Sequence, residues 1–427
     1  MKIKIFKSSF IRNVLILATG TIAAQLVVMG LSPIITRIYG PEKYGVLSLF
    51  LSLVAIVGPI SALTYPIAIV LPKKDSEAKK IAHLSLSIAL LIAVISGVLI
   101  LIFSNNNSNF FGLKEINSYI FLIPYIILFS GLIQILENWL IRTAQFSISA
   151  KVSFFQALII QSSIVLIGLF YPSVSVLILV SALGIFLKGF LMWVFNKKKL
   201  NFSLSTIIKP TPDIRLIASR YKDFSIYRAP EVLINSFSQS LPIFLLTYYF
   251  GPASAGFYSI GRTTLSIPTQ LVGKAVGDVF YPRISEAANN KDPLTKLIIK
   301  ATMSLALIGV VPFLTVIIFG PQLFNLVFGE EWLQAGKYAR WMAIWLFFMF
   351  INQPSIKTLP ALGAQSVHLK FTVIMLLVRV LALLVGYFAF KDDMIAIVLF
   401  SLTGAILNFL LIILVLKLSR KFDLSNR

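Results

Sequence analysis

The chain has 427 residues, of which 58% are hydrophobic and only 13% charged, with a net charge of +22. A soluble chain carries roughly a quarter charged residues, so this composition excludes an ordinary soluble enzyme and implies a polytopic membrane protein. There is no cysteine, which excludes disulfides and thiolate metal sites, and only His83 and His368 offer imidazole, which argues against a histidine metal centre.

Backbone polar groups in hydrocarbon must bond within their own segment, so long apolar runs are read as helices. Twelve spans are predicted, near 13–36, 46–71, 81–103, 119–141, 152–170, 174–195, 224–250, 257–281, 297–319, 338–359, 371–390 and 394–417. The opening MKIKIFK looks like a signal n-region, but the apolar run behind it is too long for a signal h-region. That segment is expected to be retained.

Orientation follows from Lys and Arg. The clusters Lys2/Lys4/Lys7/Arg12, Lys73/Lys74/Lys79/Lys80, Lys197/Lys198/Lys199, Arg215/Arg220/Lys222 and Lys417/Arg420/Lys421 all fall on one side of the predicted membrane. About 26 basic residues lie there against about 5 on the other side, so both termini are expected in the cytoplasm. The positive charge is thereby assigned to topology and contact with anionic membrane lipids, and a nucleic-acid partner loses its main support.

The two halves align at an offset of 211 residues. "IKIFKSSF" (3–10) falls on "IRLIASRY" (214–221), and the turn "TRIYGPEKYGVLSL" (36–49) falls on "TYYFGPASAGFYSI" (247–260). After a small gap "LPKKDSEA" (71–78) falls on "YPRISEAA" (281–288), and "TAQFSISAK" (143–151) resembles "GAQSVHLKF" (363–371). Six spans per half means that both copies enter the membrane from the same side, as parallel repeats. The expected fold is an all-α membrane protein of twelve transmembrane helices, in two six-helix lobes around a central cavity. Residues 1–195 form the first lobe and 224–427 the second. Between them, 196–223 is a basic, proline-containing cytoplasmic linker, with Pro210, Pro212 and a capping Asp213. Residues 3–10 and 214–221 are read either as interfacial helices or as plain basic flanks.

A twelve-span, two-lobe chain fits two large classes of transporter. The major facilitator class usually carries a Gly-x-x-x-Asp-Arg-type loop after its second helix, whereas here that loop reads "LPKKDSEAKK". The sequence instead resembles the multidrug/oligosaccharidyl-lipid/polysaccharide exporter superfamily, and within it the bacterial polysaccharide-unit (O-antigen type) flippases. The resemblance rests on Gly40-Pro41-x3-Gly45, its copy Gly251-Pro252-x3-Gly256, the Ser-Glu-Ala loops after the second and eighth spans, and the loop "IRTAQFSISAKVS" after the fourth. It covers nearly the whole chain. It implies movement of a lipid-linked oligosaccharide, typically undecaprenyl-diphosphate-linked, from the inner to the outer leaflet of the bacterial cytoplasmic membrane. Polysaccharide polymerase and chain-length proteins are the implied partners. No clear acidic cation site marks the first lobe, a departure from the drug-exporting relatives.

Charge at mid-membrane depth costs roughly 2.5–3.5 kcal/mol on insertion scales, so each such residue needs a reason. Arg228 and Glu231 are three apart and Lys274 and Asp278 four apart, so each pair can meet on one helix face. Glu137 and Lys188 fall at similar depth and can pair between spans. Arg262 and Arg379 have no acidic neighbour at helical spacing. Arg262, Arg379, Lys274 and Arg228 are the candidates for a cationic cavity that takes a diphosphate, because a guanidinium presents a planar fork of donors to phosphate oxygens. Asn235, Ser238, Gln239 and Gln25 are candidate contacts for sugar hydroxyls, or else bonds between packed helices.

No cofactor is expected beyond a proton or sodium gradient, for which Glu137 and Asp278 are the candidate carboxylates. No Gly-x4-Gly-Lys-Ser/Thr loop is present, so ATP hydrolysis is not expected. A polymerase would need a sizeable outside loop, and the longest predicted, near 104–118 and 320–337, are short and have few ionisable groups. The competing transport reading is an ion-coupled small-molecule or drug antiporter of the same fold.

Overall fold

The computed structural model describes residues 2–103, 110–196, 214–290 and 292–425. Within them, side chains are described from residue 19 onward, except 110–115, 196, 268, 271, 272, 274, 275, 277–279, 282 and 365. The expected linker therefore lies mostly outside the described residues, as do the side chains of Lys274, Asp278 and Pro268.

The chain divides into two compact units, Met1–Phe244 and Leu245–Arg427. The first begins with α1 (Lys2–Ile60), which is two helices joined at Gly40, where φ is 70° and ψ 173°. Then come a 3-10 turn at Tyr65–Val70, α2 (Asp75–Phe103), a 3-10 stretch at Phe110–Leu122, α3 (Ile123–Arg142), α4 (Phe146–Gly168), α5 (Val174–Asn196) and the short α6 (Ile214–Arg220). Helix α7 (Ala229–Phe250) follows and runs across the division. The second unit holds α8 (Pro252–Asn289), α9 (Leu294–Phe328), α10 (Leu333–Ile351), α11 (Gln353–Thr358), α12 (Gln365–Val385) and α13 (Asp393–Ser425).

Counting the two limbs of α1 and leaving out the short α6 and α11, each of the twelve predicted spans overlaps one of these helices among the described residues. Eight described helices, α1 counting once, are long and apolar enough to cross a membrane. Their outward faces are apolar: Leu91, Val94, Leu101 and Ile102 on α2, and Leu307, Ile308 and Val311 on α9, are all exposed. Such faces are stable in lipid and not in water, and the chain is a multi-pass membrane protein.

Within each unit, small residues let helices approach closely. In the first, α1 lies on α4, and a Cβ on Gly20 would fall 2.3 Å from that of Ala150. In the second, α10 lies on α9, and a Cβ on Gly336 would fall 2.5 Å from Pro321 Cα. Helix α13 closes this bundle. Its Asn408 accepts a buried bond from Asn352, and its Asp423 accepts from the backbone N–H groups of Leu294 and Thr295 at the start of α9, at 2.7 and 3.1 Å. A carboxylate at a helix N-terminus satisfies orphan donors and complements the dipole.

Several element ends differ from expectation, for identifiable reasons. The span expected to 71 leaves the α-helix at Ile60, next to Pro59. It then turns through Leu63 and Thr64, both at positive φ, 47° and 57°. That conformation is costly for residues with a Cβ. It is held by Thr64, whose hydroxyl donates to Phe224 O at 2.8 Å. The loop expected at 320–337 is mostly helix, because Pro321 sits inside α9 instead of ending it, and the stop comes at Gly329, with φ 108°. Residues 224–228 wind as a π-helix ahead of Pro230, which has no N–H to continue the α ladder.

Candidate functional site

Most of the charges expected inside the membrane have partners. Lys188 Nζ on α5 lies 2.6 Å from Glu137 Oε1 on α3. Arg228 Nη1 donates to both carboxylate oxygens of Glu231 at 2.8 Å, one turn along an exposed face. The polar set on α7 is partly self-satisfied, with Gln239 Nε2 donating to Asn235 Oδ1 at 3.3 Å and Ser238 Oγ to Ile234 O at 2.7 Å. Asn235 and Gln239 remain exposed, whereas Gln25 is half-buried on the first limb of α1. The side chains of Lys274 and Asp278 lie outside the described residues.

Two of the four candidate cations, Arg262 and Arg379, lie within electrostatic reach of each other in the second unit. Arg379, on α12, reaches into a corner of two aromatic rings. Its guanidinium carbon is 3.8 Å from the ring centroid of Trp345 on α10 and 3.8 Å from that of Phe400 on α13. The rings stand edge to face, at 79° with centroids 5.5 Å apart. Tyr258 and Arg262, one turn apart on α8, are within electrostatic reach of Arg379. Gly404 leaves the room for this arrangement, since a Cβ there would fall 2.8 Å from Trp345 Cδ1 and 3.2 Å from Arg379 Nε. Arg379 Nε and Nη2 are buried without a hydrogen-bond partner, and so are Tyr258 Oη, Trp345 Nε1 and Ser401 Oγ. A desolvated guanidinium over aromatic rings gains about 2 kcal/mol or more from the ring quadrupole, but a ring face does not saturate in-plane N–H groups. Spacing alone gave no sign of the aromatic corner, because Trp345 and Phe400 come from two other helices.

The first unit contains a cluster that sequence reasoning missed. Arg142, at the end of α3, donates to Ile69 O at 3.1 Å, Pro72 O at 2.6 Å and Asp75 Oδ1 at 2.9 and 3.1 Å. Beside it, Glu77 Oε1 accepts from Arg220 Nη1 at 2.8 Å and from Tyr221 Oη at 3.1 Å. Burial, and then the Glu77 carboxylate, push the Tyr221 phenol above its ordinary pKa. Ile217 is buried in the same place, against Ile81, Ile135 and Trp139. These contacts fasten α6 to the junction of the 3-10 turn and α2. The available signal was the position of Arg142 inside the loop "IRTAQF".

A family model described as "Polysaccharide biosynthesis protein" matches residues 34–337, well over half of the chain. The chain belongs to this family. This polysaccharide biosynthesis family member is also 22% identical over 331 residues to the succinoglycan biosynthesis transport protein ExoT of Rhizobium meliloti (strain 1021), covering 74% of the chain and 61% of that relative. It thus spans less than two thirds of the relative's length. Its fold is similar to that of the lipid II flippase MurJ in an inward closed conformation, with a TM-score of 0.74 and 13% identity over 96% of this chain and 90% of that one. It is also similar to an inward-facing multidrug resistance MATE family transporter of the MOP superfamily, with a TM-score of 0.70 and 13% identity over 93% and 95%. The family member therefore has the fold of MOP-superfamily transporters.

Proposed function

We propose that the chain is a flippase of the bacterial cytoplasmic membrane, with both termini in the cytoplasm. Its cargo is a lipid-linked oligosaccharide, of the undecaprenyl-diphosphate type, moved from the inner to the outer leaflet by alternating access for cell-surface polysaccharide synthesis. The reading is carried by one observation: in a chain of the polysaccharide biosynthesis family, Arg262 and Arg379 stand within electrostatic reach of each other inside a membrane helix bundle. Two cations so placed favour a polyanion such as a diphosphate. Arg262 is the proposed contact. Arg379, enclosed by Trp345 and Phe400, backs it with positive potential. Arg228 is engaged by Glu231 on an exposed face and ranks below them, and Lys274 keeps its place as a candidate from sequence alone. Asn235, Gln239, Ser238 and Gln25 are the proposed sugar contacts. Polymerase and chain-length proteins would take up the product.

The test is complementation of a deletion strain. Loss of the protein is expected to leave lipid-linked units on the inner leaflet, and Arg262→Ala to restore roughly 1–10% of the flux, the loss of one charge-assisted hydrogen-bonded contact. Full activity of Arg262→Ala rejects its role. The MATE-like fold favours a second reading, an ion-coupled small-molecule antiporter with Glu137 and Asp278 as ion ligands. Unchanged surface polysaccharide together with a new drug sensitivity in the deletion strain would establish that reading instead.

A further inference from the structure

We infer that the outward face of α9 seats an acidic glycerophospholipid, with its phosphate at the ammonium groups of Lys296 and Lys300 and an acyl chain along Met303 and Leu307. The seat is separate from the proposed cargo contact at Arg262 and does not depend on the cargo's identity.

The two sides of α9 are used differently. Leu294, Ile298, Gly309, Phe313 and Gly320 are buried toward the bundle. On the opposite side, Lys296, Lys300, Met303, Leu307, Val311 and Leu314 recur at steps of three and four and are all exposed, so they form one stripe along the helix. An open groove of about 390 Å³ lies over the first turns of this stripe, lined by Lys296, Ile299, Lys300, Met303, Ser304 and Leu307. The stripe changes chemistry once along its length. Two ammonium groups stand at its start, about 6 Å apart along the axis. Ser304 follows, with its hydroxyl donating to Lys300 O at 2.8 Å. Beyond it the exposed residues up to Phe319 are apolar except Thr315, whose hydroxyl donates to Val311 O at 2.8 Å. From Met303 to Phe319 the helix rises about 24 Å, most of the roughly 30 Å of a hydrocarbon core. The lysines therefore stand at headgroup level, and the stripe behind them runs along acyl chains.

Charge decides which amphiphile fits. Among the described residues neither lysine has an ion-pair partner. Asp423, which reaches the start of α9, is engaged by the backbone N–H groups of Leu294 and Thr295. Two uncompensated cations followed by an apolar groove complement a molecule with a negative head and a hydrocarbon chain, in that order. A free phosphate would leave the Met303–Leu307 part of the groove uncovered. The groove lies on the side of α9 away from the bundle core, where bulk membrane lipid lies, so the occupant is a lipid of the bilayer and not the cargo. An ammonium is a point charge without the planar fork of a guanidinium, so the pair selects net charge over headgroup shape. It separates acidic from zwitterionic phospholipids. Each basic residue near the surface contributes roughly fivefold in affinity for anionic lipid, which sets the preference of the pair at roughly tenfold to thirtyfold.

The test uses the purified full-length chain, delipidated in neutral detergent and titrated with dioleoyl phosphatidylglycerol or dioleoyl phosphatidylcholine, with retained lipid counted by native mass spectrometry. Phosphatidylglycerol should be retained roughly tenfold to thirtyfold more tightly. Lys296→Gln with Lys300→Gln should remove that preference, each single change should remove roughly fivefold of it, and Lys296→Arg with Lys300→Arg should keep it. Both positions are exposed, so the unfolding midpoint without lipid should not move. Lys73→Gln with Lys74→Gln, at exposed lysines of the first unit, should leave the preference intact. An unchanged preference in the Lys296/Lys300 glutamine variant would overturn the seat. An equal loss in the Lys73/Lys74 variant would overturn it as well, by making the attraction a property of overall charge. Competition by glycerol phosphate at equal concentration would reassign the lysines to a phosphate without chains, and displacement by equimolar undecaprenyl diphosphate would reassign the groove to the cargo; either result overturns the proposal.

Discussion

Arg142→Ala is expected to destabilise the first unit by about 3–4 kcal/mol, and the geometry shows where that comes from. The Arg142 side chain is 11% exposed, while its carboxylate partner Asp75 is 74% exposed. The Asp75 leg is thus a surface ion pair worth about 0–1 kcal/mol. The weight falls on the bonds to Ile69 O and Pro72 O at 3.1 and 2.6 Å. Hydrogen bonds to a charged donor contribute about 1.5–3 kcal/mol each, and both carbonyls belong to buried residues. Water entering from the loop side reduces the sum to the stated range, about two to three orders of magnitude in the folded-to-unfolded ratio. Arg142→Lys should lose about half as much, because an ammonium cannot hold several divergent acceptors as a fork does. Asp75→Asn should cost under about 1 kcal/mol. The assay is denaturant unfolding in detergent followed by tryptophan fluorescence, with Trp139, buried one turn before Arg142, as the local reporter. If Arg142→Ala costs less than about 1 kcal/mol, or if Asp75→Asn costs as much as Arg142→Ala, the carbonyl bonds are not what holds the junction.

Two further perturbations separate structural roles from functional ones. Lys188→Met leaves the Glu137 carboxylate unpaired at membrane depth and should lower stability by about 2–3 kcal/mol, while the exchanged pair, Glu137→Lys with Lys188→Glu, should recover most of it in the same unfolding assay. Glu137→Gln that keeps stability but removes cation-dependent transport would instead assign Glu137 to ion coupling. Gly251→Ala should cost about 1–3 kcal/mol although its Cβ would meet nothing within 4 Å, because φ 88° with ψ 168° is a region open essentially to glycine alone. Gly40→Ala should match it, whereas Gly30→Ala, also in open space but inside helix α1, should be neutral or stabilise by up to about 1 kcal/mol.

Features set by one residue type at one spacing could be read from the sequence. Twelve apolar runs had to be helices, and the exposed leucine and isoleucine faces of α2 and α9 are what those runs become when folded. Arg228–Glu231 followed from a three-residue step, and Glu137–Lys188 from matching depth. The Arg142 clamp was hidden because its acceptors are backbone carbonyls, which every residue carries and no letter marks. The corner around Arg379 was hidden for a related reason. Trp345 and Phe400 are two aromatic residues among many, and only the packing of α10 against α13 brings them to one guanidinium. Helix ends were misread where proline acted inside a helix, as at Pro321, and where a buried hydroxyl held a strained turn, as at Thr64.

The internal repeat shows how far duplication carries. Gly40 and Gly251 have nearly the same backbone angles, 70° and 173° against 88° and 168°, so both copies make the same turn. The fastenings beside the turns differ. In the first unit Tyr39 Oη donates to Ile164 O at 2.9 Å and Lys43 Nζ to Pro172 O at 2.7 Å. Both acceptors are carbonyls, where the second unit uses a carboxylate. In the second unit Ser254 and Tyr338 converge on the carboxylate of Asp393. Asp393 is thereby committed to the rim and is not free to neutralise Arg379 deeper in the same bundle. At the aligned position Arg262 corresponds to Leu51, so the first unit lacks that cation. The two copies share the backbone path. A carboxylate at one rim and arginines on the neighbouring helices give the second unit an electrostatic character that the first does not share.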